Sequence, residues 1–249
     1  TPPAVQFGQS AILSTATNNS TGAVTYTAVG PCTVSGASLA TTGVGSCVVT
    51  GHQAADANYL ATTGSTTVAI SKAAQNPLQL QAPNTLAPGG SGSLAATGGS
   101  SGEAVVFSIA PASAGICAVS GTTLQATAVG VCTVEGTMPG GSNYLDVSAS
   151  IAVTIANQAQ AALTLSASST QIAMDSTSAL SVTGGSGTGS VTYALVSGAP
   201  YCDVDGVTGI VTGKAIGACT VNATKAASLG YDAITSANTV TIHVGKKAQ

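Results

Sequence analysis

The sequence is poor in charged and aromatic residues. Only 5% of its 249 residues are charged, and these are five lysines and eight carboxylates, with no arginine. Nucleic-acid binding needs many Lys and Arg side chains to neutralise phosphates, so a net charge of −3 argues against that class of protein. Most catalytic mechanisms draw on His, Asp, Glu, Lys and Cys, which are scarce here. We therefore predict no enzyme activity, no catalytic residues and no cofactor.

Long apolar runs are also missing. Hydrophobic residues make up 44% of the chain, but Ser, Thr and Gly interrupt them every few positions. No stretch reaches the roughly 18 apolar residues that a membrane helix needs, so no membrane span is expected. The abundant Val, Ile and Thr favour strands, and the frequent Gly disfavours helices. The composition predicts an all-β protein.

The residues that are present form an internal repeat. The first cysteine of each copy recurs after 85 and 85 residues, and the second after 85 and 87. The copies end in similar short stretches at Ile70, Ile155 and Ile242, each followed by a polar junction that closes with Ala-Gln. We predict three domains, at residues 1–75, 76–160 and 161–249, the first with a shortened first strand. They are called repeats 1, 2 and 3 below.

Short apolar stretches alternate with Gly-rich turns in every repeat. About seven short strands in 85–90 residues is typical of a two-sheet β-sandwich. In repeat 3 the predicted strands are Leu163–Leu165, Ala179–Thr183, Val191–Val196, Cys202–Val204, Ile210–Thr212, Ala218–Ala223 and Val240–Val244.

Each repeat contains two cysteines, which we expect to form one disulfide. The predicted pairs are Cys32–Cys47, Cys117–Cys132 and Cys202–Cys219. Closing a loop of this length stabilises a thin core by about 3 kcal/mol. Zinc ligation is the alternative, but it favours cysteines two to four residues apart with two further ligands nearby. Disulfides indicate an oxidising compartment. We expect each bridge to join neighbouring strand ends instead of spanning the two sheets.

Two aromatic residues recur in each repeat, and we predict that they fill its small core. The last tyrosine of each repeat lies 12 residues after the second cysteine, and we expect its hydroxyl to bond to a backbone group at a corner of the sandwich. Phe7 and Tyr201 lie outside the pattern. The predicted core aromatics are Tyr26, Tyr59, Phe107, Tyr144, Tyr193 and Tyr231.

Few other residues point to chemistry. Asp203-Val204-Asp205-Gly206 resembles the start of a calcium loop, but it lacks the further carboxylates, so a turn is the preferred interpretation. Asp56, Asp146 and Asp232 lie near the recurrent tyrosines and are expected to make loop hydrogen bonds. No metal site is predicted.

The motifs resemble a known family. Residues 187–193 (Gly-Thr-Gly-Ser-Val-Thr-Tyr), residues 217–221 (Gly-Ala-Cys-Thr-Val) and Gly230-Tyr231 are similar to bacterial immunoglobulin-like tandem repeats of large secreted or surface adhesins. The pattern recurs at Gly45–Val49 with Tyr59 and at Gly130–Val134 with Tyr144. The resemblance implies immunoglobulin-like sandwiches in a secreted or surface-exposed bacterial protein, and no catalytic residues.

These observations lead to one preferred function and two alternatives. We expect a non-catalytic extracellular module that forms a rod-like stalk or spacer of a bacterial surface adhesin or fibre. Its partners would be neighbouring repeats or further copies of the chain. The first alternative is a subunit that polymerises into an extracellular filament or sheath, with residues 1–7 packing on another chain. The second is a module that binds a cell-surface glycan or host protein, for which Tyr201 is the spare aromatic residue.

Overall fold

The computed structural model describes residues 4–16 and 19–247. They form three tandem immunoglobulin-like β-sandwich repeats, each with one internal disulfide, so the predicted fold class is confirmed. The residues group into two compact units. One extends to Ala82 and also includes Leu94–Ser108 and Thr133–Ile151. The other includes Pro83–Ser93, Ile109–Cys132 and the chain from Ala152 onward.

The strands of repeat 1 are β1 Val5–Gln6, β2 Ser10–Ile12, β3 Val24–Val29, β4 Cys32–Ser35, β5 Ser38–Thr41, β6 Gly45–Gln53 and β7 Thr62–Ser71. They form two sheets with the strand orders β1-β7-β6-β3 and β2-β5-β4. Half-buried and exposed residues alternate along β3, as expected for a strand with one face toward the core.

Repeat 2 adds a strand before the counterpart of β1 and includes a short 3-10 helix, Pro111–Ser113. Its strands are β8 Leu78–Gln81, β9 Thr85–Leu86, β10 Ser91–Ser93, β11 Ala95–Gly98, β12 Val106–Ile109, β13 Cys117–Ser120, β14 Thr123–Ala126, β15 Gly130–Met138 and β16 Val147–Ile155. The strand orders are β12-β15-β16-β9, β10-β14-β13 and β11-β8.

The strands of repeat 3 are β17 Leu163–Ala167, β18 Gln171–Ala173, β19 Thr177–Gly184, β20 Val191–Ser197, β21 Cys202–Val204, β22 Ile210–Gly213, β23 Gly217–Lys225, β24 Ile234–Thr235 and β25 Val240–Gly245. They form two sheets with the strand orders β17-β19-β22-β21 and β18-β25-β23-β20, and β24 pairs with β23.

One parallel pair recurs in all three repeats. A short early strand lies beside the last strand, in β1 with β7, β9 with β16 and β18 with β25. In repeats 2 and 3 a preceding strand, β8 or β17, pairs with β11 or β19 of the other sheet. Within residues 4–16 and 19–75, repeat 1 has no strand in that place.

The disulfides link the two sheets of each sandwich. Cys32 lies in β4 and Cys47 in β6, and these strands belong to different sheets. The other two pairs repeat this arrangement, with Cα–Cα distances of 6.0 Å. The expectation that each bridge joins neighbouring strand ends within a sheet was wrong. The chain crosses to the opposite sheet at Gly30-Pro31, just before the first cysteine, and crosses back before the second.

The core of each repeat consists mainly of small aliphatic residues around the disulfide. In repeat 1, Leu39 and Cys47 are fully buried, and Val49 and Val68 are nearly so. The aromatic residues are more peripheral than predicted. Tyr26, Phe107, Tyr144, Tyr193 and Tyr231 are half-buried. Tyr59 is 46% exposed, so its prediction as a core residue was wrong.

Candidate functional site: the junctions between repeats

Main-chain hydrogen bonds join the end of repeat 1 to the loop around Tyr144 in repeat 2, residues 139–146. We call this loop and the equivalent loops around Tyr59 and Tyr231 the tyrosine loops. The Ala73 N–H donates to the Asn143 carbonyl oxygen at 3.0 Å, and the Leu145 N–H donates to the Ala73 carbonyl oxygen at 2.8 Å. Ala73 and Tyr144 therefore form a single parallel bridge. A single bridge just after the last strand of repeat 1 therefore connects it to repeat 2.

The junction after repeat 2 has the same pattern. The Gln158 N–H donates to the Gly230 carbonyl oxygen at 2.8 Å, and the Asp232 N–H donates to the Gln158 carbonyl oxygen at 3.0 Å. In both junctions the bridging residue bonds to the residues immediately before and after the recurrent tyrosine, here Tyr231. The two joints thus share one backbone geometry, although the bridging residues differ in type.

Two residues after each bridge, a glutamine side chain enters the next repeat. Gln75 Nε2 donates to the carbonyl oxygens of Leu145 at 2.9 Å and Met138 at 3.1 Å. Its Oε1 accepts the N–H groups of Ser100 and Ser101 at 2.9 and 3.0 Å. The carboxamide therefore fastens the tyrosine loop of repeat 2 to its Gly-rich turn.

Gln160 has the same position in the second joint and is only 6% exposed. Its Nε2 donates to the carbonyl oxygens of Asp232 at 2.7 Å and Ala226 at 3.3 Å. Its Oε1 accepts the Gly187 N–H at 3.0 Å. A buried amide that uses both its donor and its acceptor meets the usual requirement for burying a polar group. We call Gln75 and Gln160 the clamp glutamines.

Side-chain contacts around the joints differ from one joint to the other. In the first, the rings of Phe7 and Tyr144 meet edge to face with centroids 5.4 Å apart, and Lys72 Nζ donates to the Gly141 carbonyl oxygen at 2.7 Å. Phe7 therefore packs within this chain, whereas residues 1–3 of the predicted interchain segment lie outside the described residues. In the second, Asn157 Nδ2 donates to Asp232 Oδ1 at 3.1 Å.

The tyrosine loop of repeat 1 has no such joint within the described part of the chain. Tyr144 and Tyr231 are half-buried beside their joints, whereas Tyr59, which has no such joint, is exposed. The hydroxyls of these three tyrosines make no hydrogen bond among residues 4–16 and 19–247, so the expected corner bond is not found.

Asp56 holds the loop around Tyr59 in place from within repeat 1. Its carboxylate accepts the N–H groups of Asn58 at 2.8 Å and Tyr59 at 2.9 Å, together with the Thr21 N–H at 2.6 Å. These backbone donors, Asn58 first and then Thr21, with a further contribution from the Ser20 hydroxyl, hold the pKa of Asp56 well below its ordinary value. Asp146 also accepts a hydrogen bond from its own loop, the Gly140 N–H at 2.8 Å, whereas Asp232 accepts from the Asn157 side chain of the junction.

The calcium-like stretch of repeat 3 is a turn. Asp205 Oδ1 accepts the N–H groups of Val207 and Thr208, each at 2.9 Å, and these bonds, led by Thr208, lower the pKa of Asp205. The neighbouring Asp203 pairs with Lys214 at 3.3 Å. Both carboxylates therefore already have partners in the protein.

Across residues 4–16 and 19–247, no three His, Cys, Asp or Glu side chains come together in a group suited to a metal ion. The same residues include no helix with the length and apolar character required to cross a membrane. The spare aromatic residue, Tyr201, is 39% exposed and lies over Gly217 of its own repeat.

Sequence reasoning missed the clamp glutamines as functional residues. The signal was present, because both follow an alanine at the end of their repeats, as Gln249 does. Gln249 lies outside the described residues. A buried glutamine cannot be told from an exposed one by a junction motif alone, since the motif does not show what the side chain reaches.

No protein-family model matches this chain, and no curated protein is similar to it in sequence. Among solved structures, it is similar to Drosophila N-cadherin EC1-3, with 12% identity, 99% of each chain covered and a TM-score of 0.35. Mouse cadherin-23 EC22-24 has 16% identity, a TM-score of 0.32 and coverage of 98% of this chain and 93% of that one. Domains 1–6 of the surface layer protein SbsC have 17% identity and a TM-score of 0.32, and the match covers 93% of this chain and 36% of that chain. These structural neighbours are repeated cadherin domains and domains of a surface-layer protein.

Proposed function

We propose that the chain is a non-catalytic extracellular module that acts as a stalk or spacer in a bacterial surface adhesin or fibre. The observation that carries the proposal is the duplicated joint. Each joint combines a main-chain bridge with a clamp glutamine, so each fixes the end of one repeat to the tyrosine loop of the next. A spacer needs such fixed joints, because flexible linkers would not hold an attached domain at a set distance.

The disulfides and the composition agree with this role. Three cross-sheet disulfides suit an oxidising environment outside the cell. A surface with few charges offers little to attract nucleic acid or other charged partners. The boundaries at residues 75 and 160 are part of the proposal and place each clamp glutamine at the end of its repeat.

Small-angle X-ray scattering of the purified chain tests the proposal. Strands of five to eight residues at about 3.3 Å per residue, with their loops, give a repeat of roughly 35–40 Å, so three repeats in series would extend over about 100 Å. A uniform rod of that length has a radius of gyration of about 30 Å, whereas a compact domain of this size would have about 18 Å. A value near the compact limit would overturn the spacer function.

The filament alternative has one observation in its favour, an open groove on repeat 1. Chain-to-chain growth would require that groove to receive a segment from another molecule. Sedimentation velocity over a range of concentrations separates the two functions, because a spacer stays monomeric and a filament subunit forms larger species.

A further inference from the structure

Repeat 1 has an open groove in the place where repeats 2 and 3 hold their first strands. The groove has a volume of about 260 Å³, and its lining includes Leu13, Thr15, Tyr26, Val49, Gly51 and Gly64. One side of its wall is the segment that follows β2, and the other side belongs to strands β3, β6 and β7. The half-buried Leu13 and Tyr26 of repeat 1 therefore border an open groove.

The equivalent site in repeat 2 is filled by Leu80 of β8. Gly136 lies four residues after Cys132, as Gly51 does after Cys47, so the two glycines are equivalent. A Cβ on Gly136 would come within 2.7 Å of Leu80 Cδ2, which shows that the leucine lies directly on this glycine. In repeat 1, Gly51 lines the open groove instead.

Repeat 3 shows how the missing strand is bound. Leu163 and Leu165 of β17 are 0% and 2% exposed, and β17 pairs along β19 from Leu180 to Gly184. The corresponding edge in repeat 1 begins at Leu13, the equivalent of Leu180, and continues through residues 14–16. The main-chain groups of residues 14–16 make no hydrogen bond to any other described residue. Within the described ranges, repeat 1 therefore presents an unpaired main-chain segment at residues 14–16 beside an open groove.

Part of β7, the last strand of repeat 1, is also exposed to solvent. All residues from Thr62 to Thr67 are exposed, although alternate residues of a sandwich strand should face the core. In β16 of repeat 2, the corresponding strand, half-buried and exposed residues alternate from Val147 to Ala152. The exposed part of β7 corresponds to the region of the sandwich that β8 covers in repeat 2 and β17 covers in repeat 3.

The tyrosine loop of repeat 1 has unused groups that match those used in the joints. The Asn58 carbonyl and the Leu60 N–H correspond to the groups that bond to Ala73 and Gln158 in repeats 2 and 3. The Leu60 carbonyl corresponds to the acceptor of the clamp glutamine. None of these three groups bonds to another residue within the described ranges, and the Leu60 side chain is 91% exposed.

These vacant features are filled in repeats 2 and 3 by one continuous segment. In repeat 3 it comprises the bridging Gln158, the clamp Gln160 and the strand leucines Leu163 and Leu165. In repeat 2 the same order is Ala73, Gln75, Leu78 and Leu80. The pattern is a bridging residue, a glutamine two residues later, and apolar residues three and five positions after the glutamine.

We propose that repeat 1 is a binding site for an extended peptide segment of this pattern, the end of another repeat together with the strand that follows it. The occupant is a junction segment from another repeat, because the segments at residues 73–80 and 158–165 are already bound to repeats 2 and 3. It binds by main-chain pairing to the Leu13 edge and to the loop around Leu60, with its leucines in the groove. The inference rests on the proposed spacer function, because it applies the joint of that spacer to repeat 1.

The test uses the full chain and a labelled synthetic peptide of residues 158–167 (Gln-Ala-Gln-Ala-Ala-Leu-Thr-Leu-Ser-Ala), measured by fluorescence anisotropy. We expect saturable binding of one peptide per chain. A peptide with Gln160→Ala should bind at least tenfold more weakly, since 1.4 kcal/mol corresponds to tenfold and a lost buried hydrogen bond costs a similar amount. The matched peptide with Gln158→Ala keeps its backbone bridge and should bind within about twofold.

Two variants of the chain locate the binding. Leu60→Pro removes the bridging N–H at an exposed position and should weaken binding about tenfold or more, whereas Leu60→Ala keeps that N–H and should not. Gly51→Val puts a side chain into the groove and should also block the peptide. Equal binding to a scrambled peptide, or binding unaffected by both Leu60→Pro and Gly51→Val, would overturn the proposal.

Three further outcomes are informative. A chain that dimerises through this groove, with the dimer lost in Leu60→Pro, would make a second copy the occupant and would contradict the assignment made here. Failure of peptide binding together with an extended scattering profile would refute only the groove proposal. A compact profile would refute the spacer function itself, so the two failures can be distinguished.

Discussion

Replacing Gln160 by alanine tests how much the clamp contributes to a joint. Gln160 is only 6% exposed, and its side chain makes three hydrogen bonds, two through Nε2 and one through Oε1. Each net hydrogen bond contributes about 0.5–1.5 kcal/mol, and a buried partner left unsatisfied costs about 1–3 kcal/mol. We therefore expect Gln160→Ala to lower the free energy of unfolding of repeat 3 by about 2–3 kcal/mol.

The measurement is differential scanning calorimetry of the full chain. In a domain of this size, 1 kcal/mol shifts the melting temperature by about 4–8 °C, so the transition should fall by about 8–24 °C. Gln158→Ala is the matched control, since it removes an exposed side chain of the same type from the same junction and leaves the main-chain bridge intact. It should change stability by less than about 0.5 kcal/mol.

Hydrogen exchange provides a second readout that is specific to the joint. The Gly187 N–H donates to Gln160 Oε1, so its exchange should accelerate in Gln160→Ala and stay slow in Gln158→Ala. Equal melting temperatures for the two variants, with Gly187 still protected in both, would refute the role assigned to the clamp.

Three further predictions concern the disulfide, the tyrosine and the acidic loop. The double variant Cys202→Ala/Cys219→Ala should lose about 3 kcal/mol by calorimetry, and reducing the wild-type protein should shift the same transition; no shift in either case would contradict the cross-sheet role. Tyr144→Ala should destabilise the first joint by about 1–2 kcal/mol in urea unfolding, whereas the exposed Tyr59→Ala should change little, and equal effects would count against the joint. The lowered pKa of Asp56 means that its stabilising contribution is complete above its ordinary value of 3.8 and is lost as the pH falls below it. Melting temperatures measured from about pH 7 to pH 2 should therefore fall less steeply for Asp56→Asn than for the wild type, and parallel curves would contradict this.

Local patterns predicted most of the strands. All seven strands expected in repeat 3 occur, and each begins or ends within about two residues of the prediction. The pattern missed β18 and β24, which have three and two residues. Segments this short contain too few residues to show an alternation, and their pairing depends on neighbours that are distant in the sequence.

Pairing between distant strands was harder to predict. The similar chain ends suggested that Ile242 is equivalent to Ile70, but the ladders pair Gly45 with Ile70 and Gly217 with Val244. Val244 is therefore the structural counterpart of Ile70, and the equivalence by sequence is off by two residues. A shift of two keeps every side chain on the same face of the sheet, so the hydrophobic pattern could not detect it.

The candidate site could be predicted only in part for a related reason. The recurrent tyrosines and the Ala-Gln junctions were visible as repeated letters, but the joint that they form connects residues about 70 positions apart. Tyr59 shows the limit of the reasoning: it has the same sequence context as Tyr144 and Tyr231 and yet is exposed. Its environment depends on whether another segment covers the loop, which the residues around it do not encode.

The chemistry of the joints also bears on how repeats can be ordered. The bridge uses backbone N–H and carbonyl groups on both sides, so the residues that form it can vary, and alanine and glutamine occupy the bridging position in the two joints. What the joints share is the clamp glutamine and the tyrosine between the two bonded residues. Backbone pairing carries little side-chain specificity, as in other forms of strand addition. The two joints therefore share the spacing of one glutamine and a following apolar strand, and their backbone bonds do not by themselves fix which repeat must follow which.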